Sequence, residues 1–522
     1  MEHKRSFQRR QRLTVGAAVA ITATLTLAGC AGGNTTSGGT GEAADQTLAF
    51  GVSGEFPVLR TGVNQGNLGW TQNALIHRGL VTYDAEGSVT PALAESYEQI
   101  DPATYSFTLH EGLTFHDGTP ITSQTVADTL NYYATPESAS SGYSAFRHIA
   151  SIETPDELTA IIHLDANNSA FLQYLADPSS AIVPATALNA DTPNTIGAGP
   201  FKIAAQEEGV GTTLEAFNDY YDAEDVQLDG IDVRYYADGT ARTNALLSGD
   251  VDLIDYVPWE QFATIEADSN FVLTSQAGPL IYVQFNTTDG PFADPLVRKA
   301  VATAINRDNI NATVLEGNGT PVYGLAIPGG EFDDAATDMY TYDPDEAKEV
   351  LAEAGYPDGF STELSATSQY AFLQDAAISV QADLKEIGIE VTLNTPDWPT
   401  YTQNAAAGNY EIGVSGGGGS LNDPAYLVPW LGGPASFVNS FGYDNAELNA
   451  ALQAGISAAD EDERATAYGE AFSIVEDETP IVQLIQRAQG FAHSSKLEGF
   501  TNLPGFLTFY SAYTLAGAHL TD

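Results

Sequence analysis

The sequence predicts an α/β protein, and two observations carry that prediction. Capped helical patterns alternate with short strand patterns between residues 343 and 393, which is typical of layered α/β folds. The 522 residues are 43% hydrophobic and 17% charged, a composition that builds large buried cores rather than a disordered chain. Without a leader of a few dozen residues, roughly 475 remain, enough for about three domains.

The first predicted elements are a strand, a hairpin and a helix. Residues 47–52 form a short apolar run between Gly- and Ser-rich stretches and predict a strand. Residues 105–110 alternate apolar and polar side chains, and the Glu-Gly turn after them is expected to lead into a second strand at 113–116. A helix is predicted to follow from Thr122 or Ser123.

Helix boundaries are clearest in the second half of the chain. Asp294 and Asp343 each precede a proline, which is the pattern of an N-cap followed by proline at the first helical position. A third helix is predicted over 377–387, where apolar residues share one face, and the alternation over 389–393 predicts the strand after it.

The charge balance excludes one class of partner. The chain carries 69 Asp plus Glu against 19 Lys plus Arg, a net charge of −50. Such a surface repels phosphate backbones, so no nucleic-acid partner is expected.

The N-terminus reads as a targeting segment. A basic stretch ends at Arg12 and an uncharged apolar stretch follows over 13–27. As a helix it would rise about 22 Å, short of the roughly 30 Å hydrocarbon core, so it predicts a signal peptide rather than a span. The segment ends in Leu-Ala-Gly-Cys30, which resembles a bacterial lipobox, and Cys30 is the only cysteine.

We therefore expect residues 1–29 to be a lipoprotein signal peptide and 30–46 to be a lipidated cysteine with a flexible Gly/Ser/Thr-rich tether. This predicts an extracytoplasmic protein anchored to the cell membrane through Cys30, with the Sec and twin-arginine export routes both open. With its one cysteine lipidated, the mature chain can form no internal disulfide.

Catalytic and metal motifs are weak. Ser415 lies in Gly-Val-Ser-Gly-Gly, which fits the nucleophile elbow of an esterase, but the following Gly-rich stretch and Pro424 cannot form the helix that the elbow requires. Histidines are dispersed without metal-ligand spacing, and no Gly-rich loop ends in Gly-Lys-Ser/Thr. The sequence predicts no enzyme, no metal and no cofactor, with a serine esterase as a remote alternative.

Tryptophans are the remaining signal for a ligand. Trp70, Trp398 and Trp430 lie in Gly-, Pro- or Asn-rich contexts, where a large apolar ring with one N–H donor suits the wall of a binding site. The alternative, that each ring covers a domain core, is equally compatible with the sequence.

Several collinear stretches resemble bacterial extracellular solute-binding proteins of family 5, the peptide-, oligopeptide- and nickel-binding lipoproteins of ABC importers. They are PALAESYEQIDPATYSFTLHEGLTFHDGTPITSQTVADTL (91–130), IGAGPFKI (196–203), ARTNALLSGDVDLI (241–254), VQFNTTDGPFADPLVRKAVATAINRDNI (283–310), YDPDEAKEVLAEAGYPDGF (342–360) and VQADLKEIGIEVTL (380–393). The resemblance implies a periplasmic-binding-protein-like fold (type II, cluster C) with two lobes, an extra domain and a ligand cleft between the lobes.

By that resemblance, domain I comprises residues 47–84, 196–283 and 495–522, domain II residues 85–195, and domain III residues 284–494. The implied function is capture of a peptide or peptide-like solute by a monomer and its delivery to a membrane permease. The alternatives are an oligosaccharide, a metal chelate or an opine-like metabolite. A surface receptor on the same fold, acting without transport, is a further possibility.

Two departures from the family pattern bear on the solute. Ser420 stands where peptide-binding members commonly carry an aspartate that pairs with the peptide amino terminus, so we expect a roomier cleft. Arg78 stands where members usually have a glutamate, and it offers a forked donor for an anion if it faces the cleft. Otherwise it is an exposed arginine paired with a surface acid. The predicted ligand-binding residues are Trp70, Arg78, Asn286, Trp398, Ser415, Ser420, Asn422 and Asp423.

Overall fold

The computed structural model of the protein describes residues 46–189, 192–327, 338–432 and 435–521. Strands and helices alternate over most of that length, and the predicted α/β class is confirmed. The strands, β1 to β19 in chain order, are Thr47–Val52, Val81–Tyr83, Val89–Pro91, Ala94–Asp101, Thr104–Leu109, Ile149–Glu153, Thr159–Leu164, Phe201–Glu207, Gly211–Ala216, Gly230–Tyr235, Leu253–Ile254, Phe271–Phe285, Gly319–Pro321, Phe360–Ser365, Ile389–Asn394, Ile412–Gly417, Ile481–Ser494, Leu497–Glu498 and His519–Leu520.

Helices alternate with the strands along the described chain. The α-helices are Gly66–Ile76, Ser123–Tyr133, Tyr143–Phe146, Phe171–Ala176, Gly239–Ser248, Phe262–Glu266, Pro295–Ala304, Arg307–Val314, Pro344–Glu353, Ala371–Glu386, Trp398–Ala407, Leu427–Leu431, Ala446–Ser457 and Glu461–Glu478. A long 3-10 helix, Gly505–Gly517, packs against the first of these helices near the C-terminus. None of the described helices is both long and apolar enough to cross a membrane.

One eleven-stranded sheet runs through the described body. Its order is β15-β14-β16-β12-β17-β11-β1-β10-β9-β8, with β13 attached to β17. At its centre the antiparallel strands β12 and β17 pair from Phe271 with Ser494 to Gln284 with Ile481. Parallel pairs lie on both sides, β1 with β10 and β11, and β14 with β15 and β16. The two long strands therefore connect two α/β units. The first unit contains β1, β10 and β11, and the second unit contains β14, β15 and β16.

The two largest hydrophobic cores belong mainly to different units. The first core combines residues between 48 and 253 with residues between 491 and 518 and with Leu421, Ala425 and Ile456, and the second core lies between residues 281 and 485. The register of β12 against β17 shifts between Ala277 and Leu280, and β12 changes there from partly exposed to fully buried. The strands thus pass from one core to the other close to this irregularity.

A smaller antiparallel sheet, β4-β5-β7-β6, lies outside the large one. The predicted hairpin between residues 105–110 and 113–116 is wrong, because the first segment pairs with other strands of this sheet. Strand β5, Thr104–Leu109, pairs with β4 and β7, whereas residues 113–121 fold back on themselves through an isolated bridge between Thr114 and Pro120. The Asp-Gly turn at 117–118 closes that short loop and leaves no length for a second strand.

The other predicted elements are confirmed. Strand β1 has the predicted bounds, and Thr122 caps the helix Ser123–Tyr133. The carboxylates of Asp294 and Asp343 accept backbone N–H groups in the first turns of their helices. The helix predicted over 377–387 begins earlier and spans Ala371–Glu386. The signal peptide, Cys30 and nearly all of the tether lie outside the described residues, and the division into three domains stays a prediction.

Candidate ligand-binding site

A cavity of about 420 Å³ lies between the helix Gly66–Ile76 and two helices of the second unit, Ala371–Glu386 and Trp398–Ala407. Its size falls within the range that holds small molecules. Both units contribute residues to its wall. The lining residues are Asn64, Gln65, Gly66, Asn67, Trp70, Tyr256, Tyr370, Phe372, Leu373, Trp398, Thr402, Gly416, Gly417, Gly418, Phe437, Val438, Arg487 and Phe509.

Aromatic rings dominate this wall, and they contact one another. Trp70 stacks on Phe509 with ring centroids 5.7 Å apart. On the opposite side Trp398 meets Tyr370 and Phe437 edge to face, at 5.5 and 5.3 Å. Such packed rings form a preformed apolar surface, so little ordering is needed when a solute binds.

Arg487, on β17, is the one cationic side chain among the described lining residues. It is only 5% exposed, and its guanidinium carbon lies 5.5 Å from the ring centre of Tyr256 and 5.1 Å from that of Phe372. Its Nη1 donates to Gln489 at 2.7 Å, while its buried Nε has no hydrogen-bond partner among the described residues. No described carboxylate forms an ion pair with it, so this buried charge is available to an anion.

The backbone at Tyr256 is held in an unusual conformation beside Arg487. Tyr256 has φ of 43°, a left-handed value that is strained for a residue with a side chain. Arg242, itself buried, donates to the carbonyls of Tyr236, Asp255 and Tyr256 at 2.6, 2.9 and 2.7 Å. These three bonds fix the strained segment and, with it, the ring that covers Arg487.

A polar corner lies at the start of the helix Gly66–Ile76. Asn67 donates through Nδ2 to the carboxylate of Asp255 at 3.4 Å, and its Oδ1 is buried without a partner among the described residues. Burial raises the pKa of Asp255 to about 6, against the opposing effects of Arg242, Ser53 and Asn67. The lining offers amides here and, in the part of the chain that the structure describes, no acidic side chain.

The predicted site residues are only partly brought together. Trp70 and Trp398 line the cavity, on opposite sides. Arg78 does not. It is 3% exposed, donates to the Tyr220 hydroxyl at 3.0 Å and lies 4.8 Å from the ring centre of Tyr513. It is therefore neither a cleft residue nor an exposed one, because aromatic rings and backbone carbonyls enclose it.

Ser415 is fully buried within β16, opposite Tyr282 of β12. The chain continues from β16 as a loop and then a short 3-10 turn, Pro424–Tyr426, so the helix that an elbow requires does not follow the serine directly. The nucleophile elbow of the esterase alternative is absent from this described stretch. The neighbouring Gly416 and Gly417, rather than Ser415, reach the cavity.

The remaining predicted residues stabilise loops. Ser420 accepts the Tyr510 hydroxyl through its carbonyl. Asn422 links its loop to the C-terminal 3-10 helix through Pro504 O and Phe506 N. None of the predicted residues of this loop lines the cavity.

Asp423 and Asn286 also have structural partners. Asp423 caps the turn Pro424–Tyr426 and pairs with Arg464 at 2.7 Å. Asn286 donates to Gly408 O at 2.9 Å. Neither is among the lining residues of the cavity.

Sequence reasoning missed Arg487, Tyr256 and most of the aromatic wall. A signal existed for Arg487, because it interrupts the otherwise uncharged run IVQLIQRAQGFA of β17, and a charge inside a buried strand needs a partner. No such signal marks Phe372, Phe437 or Phe509, since aromatic residues are common along the chain.

The fold and the cavity define a class of protein, a two-lobed binding protein that encloses a small solute. The described residues contain no cluster of three or more potential metal ligands. The catalytic motif considered from the sequence is buried in a strand, and the site consists of rings, amides and one arginine.

Comparisons with known proteins agree with this class. The family profile "Bacterial extracellular solute-binding proteins, family 5 Middle" matches residues 88–438. The chain is 30% identical over 448 residues to the glutathione-binding protein GsiB of Salmonella paratyphi A, covering 82% of this chain and 86% of that protein. It is 40% identical to the PBP AgaA from A. tumefaciens R10, solved with agropinic acid, with a TM-score of 0.85 and coverage of 91% and 99%.

A further solved structure shows the same fold. DppA from Helicobacter pylori, in complex with the peptide STSA, is 24% identical, with a TM-score of 0.78 and coverage of 91% and 98%. The chain therefore belongs to the bacterial extracellular solute-binding proteins of family 5. It is a solute-binding protein of the ABC transporter type, and proteins of this family bind their solutes without catalysing a reaction. The predicted family and fold class are confirmed.

Proposed function

We propose that this protein captures a small, amino-acid-derived solute bearing a carboxylate and delivers it to the permease of an ABC importer. One observation carries the proposal: Arg487 lies buried in the cavity wall with no described carboxylate beside it. A buried guanidinium binds a carboxylate through two parallel N–H···O bonds, and it is most effective where water is excluded.

The aromatic wall supports the same class of solute. Tyr256 and Phe372 cover the guanidinium, which lowers its hydration and keeps its donors directed toward a bound anion. Trp70 and Trp398 provide apolar faces on either side for the remainder of the solute. A neutral oligosaccharide would stack on the rings but would leave the buried charge unpaired.

Two relatives bind solutes with the required group. AgaA was solved with agropinic acid and GsiB is named for glutathione, and both ligands carry carboxylates. We therefore place opine-like conjugates and short peptide-like acids within the proposed class. A neutral sugar, one of the alternatives that the sequence left open, carries no carboxylate to pair with Arg487.

The anchor and the permease complete the proposed role. A lipid on Cys30 would hold the protein outside the cell membrane, and the Gly/Ser/Thr-rich tether would raise its local concentration near the permease. We expect a monomer whose units close on the solute, since a ligand that contacts both has higher affinity for the closed form.

Calorimetric titration of the purified protein with agropinic acid, glutathione and a neutral trisaccharide tests the proposal. We expect an acid to bind and Arg487→Gln to weaken it at least about thirtyfold, because one partner of a buried charge pair is lost. Arg487→Lys should retain part of the affinity. Arg147→Gln, at an exposed position, makes the same charge change and should leave binding intact. Unchanged affinity in Arg487→Gln, or tight binding of the trisaccharide alone, would overturn the proposal.

A further inference from the structure

We infer that the cavity accepts solutes whose nitrogen is uncharged, as in an amide, a lactam or an acylated amine, and rejects the same solutes with a free ammonium group. The inference rests on the proposed function for the carboxylate at Arg487 and adds a selection rule for the rest of the solute. It follows from the charges around the cavity, where the described lining includes one cation and no acid.

The carboxylate that comes nearest to serving an ammonium is already engaged. Asp255, beside the lining residue Tyr256, is 1% exposed and accepts hydrogen bonds from Ser53 and Asn67 at 3.1 and 3.4 Å. The guanidinium of Arg242 lies 3.4 Å from its other oxygen. Asp255 is not among the residues that line the cavity, whereas its hydrogen-bond donor Asn67 is.

Asn67 presents a neutral acceptor instead. Because its Nδ2 donates to Asp255, the amide orientation is set and Oδ1 is left buried without a described partner. The neighbouring Asn64 and Gln65 use their side-chain oxygens for the backbone N–H groups of Gly66 and Arg60. An N–H or O–H of the solute satisfies Asn67 Oδ1, whereas an ammonium would bring a charge that no carboxylate of the described lining pairs with.

The position of Arg487 increases this discrimination. An ammonium enclosed in the same cavity of about 420 Å³ would lie close to a like charge while losing its water. Blocking the amine removes the charge and keeps one N–H donor. We therefore expect a blocked solute to bind at least about a hundredfold tighter than its free-amine twin.

Matched ligand pairs test the rule. The members of each pair share a carboxylate and differ at the nitrogen. The pairs are glutathione with N-acetylglutathione, glutamate with pyroglutamate, and Gly-Phe with N-acetyl-Gly-Phe. For each pair in which binding is detected, calorimetry on the purified protein should give a lower dissociation constant for the member with the blocked amine than for the member with the free amine. Equal or tighter binding of the free-amine members would overturn the inference.

A pH series separates charge from shape. The amino group of Gly-Phe has a pKa of about 8, so its neutral fraction rises about tenfold between pH 7 and 9.5. Its affinity should rise by that factor, while N-acetyl-Gly-Phe stays constant. The titratable lining groups Tyr256 and Tyr370 remain protonated over this range, because burial raises the pKa of each.

Asn64→Asp supplies the missing carboxylate without changing side-chain shape. Asn64 lines the cavity, and an aspartate keeps the bond to Gly66 N at the start of a helix, where a negative charge is favourable. The preference for the blocked member should narrow at least about tenfold, and an unchanged preference would contradict the inference. If both members bind equally and both weaken in Arg487→Gln, this inference alone fails. If no carboxylate binds, the proposed function fails with it.

Discussion

Replacement of Asp177 by asparagine probes a buried carboxyl group that contacts the aromatic wall through Tyr510. Asp177 is 3% exposed, accepts Ser179 N at 2.7 Å and accepts the Tyr510 hydroxyl at 3.1 Å. Tyr510 in turn meets Trp70 edge to face at 5.4 Å. Burial raises the pKa of Asp177 from 3.8 to about 6, although these hydrogen bonds oppose the shift.

A raised pKa of an acid means that the folded state resists ionisation. Below about pH 4 the group is protonated in both states and contributes no pH-dependent penalty. Between about pH 4 and 6 the unfolded chain loses its proton first, so stability falls, and above pH 6 the full penalty remains. A shift of about two units corresponds to about 3 kcal/mol at pH 8.

Asparagine removes this penalty and keeps the contacts. Its Oδ1 can accept Ser179 N, and its Nδ2 can donate to Tyr510, whose hydroxyl is then free for the Ser420 carbonyl at 3.1 Å. We expect Asp177→Asn to stabilise the protein by about 3 kcal/mol at pH 8 and by nearly nothing at pH 4. For about 475 residues unfolding together, that is roughly 3 °C in melting temperature.

Thermal unfolding of both proteins from pH 4 to 8 measures the effect. Asp423→Asn is the matched control. Asp177 caps the 3-10 turn Pro178–Ser180, and Asp423 likewise caps a 3-10 turn and is buried, but Asp423 is paired with Arg464 at 2.7 Å. Asp423→Asn removes the negative charge that pairs with Arg464, so this control should destabilise the protein at pH 8. The reasoning is refuted if Asp177→Asn shifts the melting temperature equally at pH 4 and pH 8, or lowers it at pH 8.

Three further predictions concern the solute, the wall and the loop after β16. The association rate of an anionic solute should rise with added salt in stopped-flow measurements, because a chain of net charge −50 repels it and salt screens that repulsion. A falling rate would contradict this. Trp398→Ala should weaken binding in titrations by at least about tenfold through loss of a cavity-lining ring, whereas Trp430→Phe, outside the lining, should not. Asn422→Ala should lower the unfolding free energy by about 1–3 kcal/mol and with it the urea midpoint, because Phe506 N–H loses its partner and Pro504 C=O keeps only the N–H of Leu507. An unchanged midpoint would show the link to be dispensable.

Local signals accounted for most of the predicted elements. Asp294 and Asp343 begin helices because a carboxylate before proline satisfies free N–H groups, and that physics needs no tertiary contact. The hairpin at 105–116 failed because strand pairing is not local. Strand β5 took partners from 94–101 and 159–164, which no turn residue announces.

The site was harder to predict for the same reason. Trp70 and Trp398 were correctly expected to share the cavity wall, but Arg78, Asn422 and Asp423 have polar side chains that satisfy backbone or aromatic partners within the fold. Whether a polar side chain faces a cavity or a carbonyl depends on which segments meet around it. Arg487 shows the converse, a charge on an interior strand that has no carboxylate partner among the described residues.

The contrast between an acidic chain and a cationic cavity has a consequence for transport. The negative net charge opposes the approach of an anion to the surface. Because charges are screened beyond about 8 Å at physiological ionic strength, the attraction of Arg487 acts only on a solute already inside the cavity. Affinity then depends on enclosure, because water must leave before the guanidinium and the rings act at full strength. Under the proposed function, opening the cavity would readmit water and return the anion to a repelling surface. The same charge distribution that makes capture of a carboxylate depend on enclosure would then favour its release at the permease.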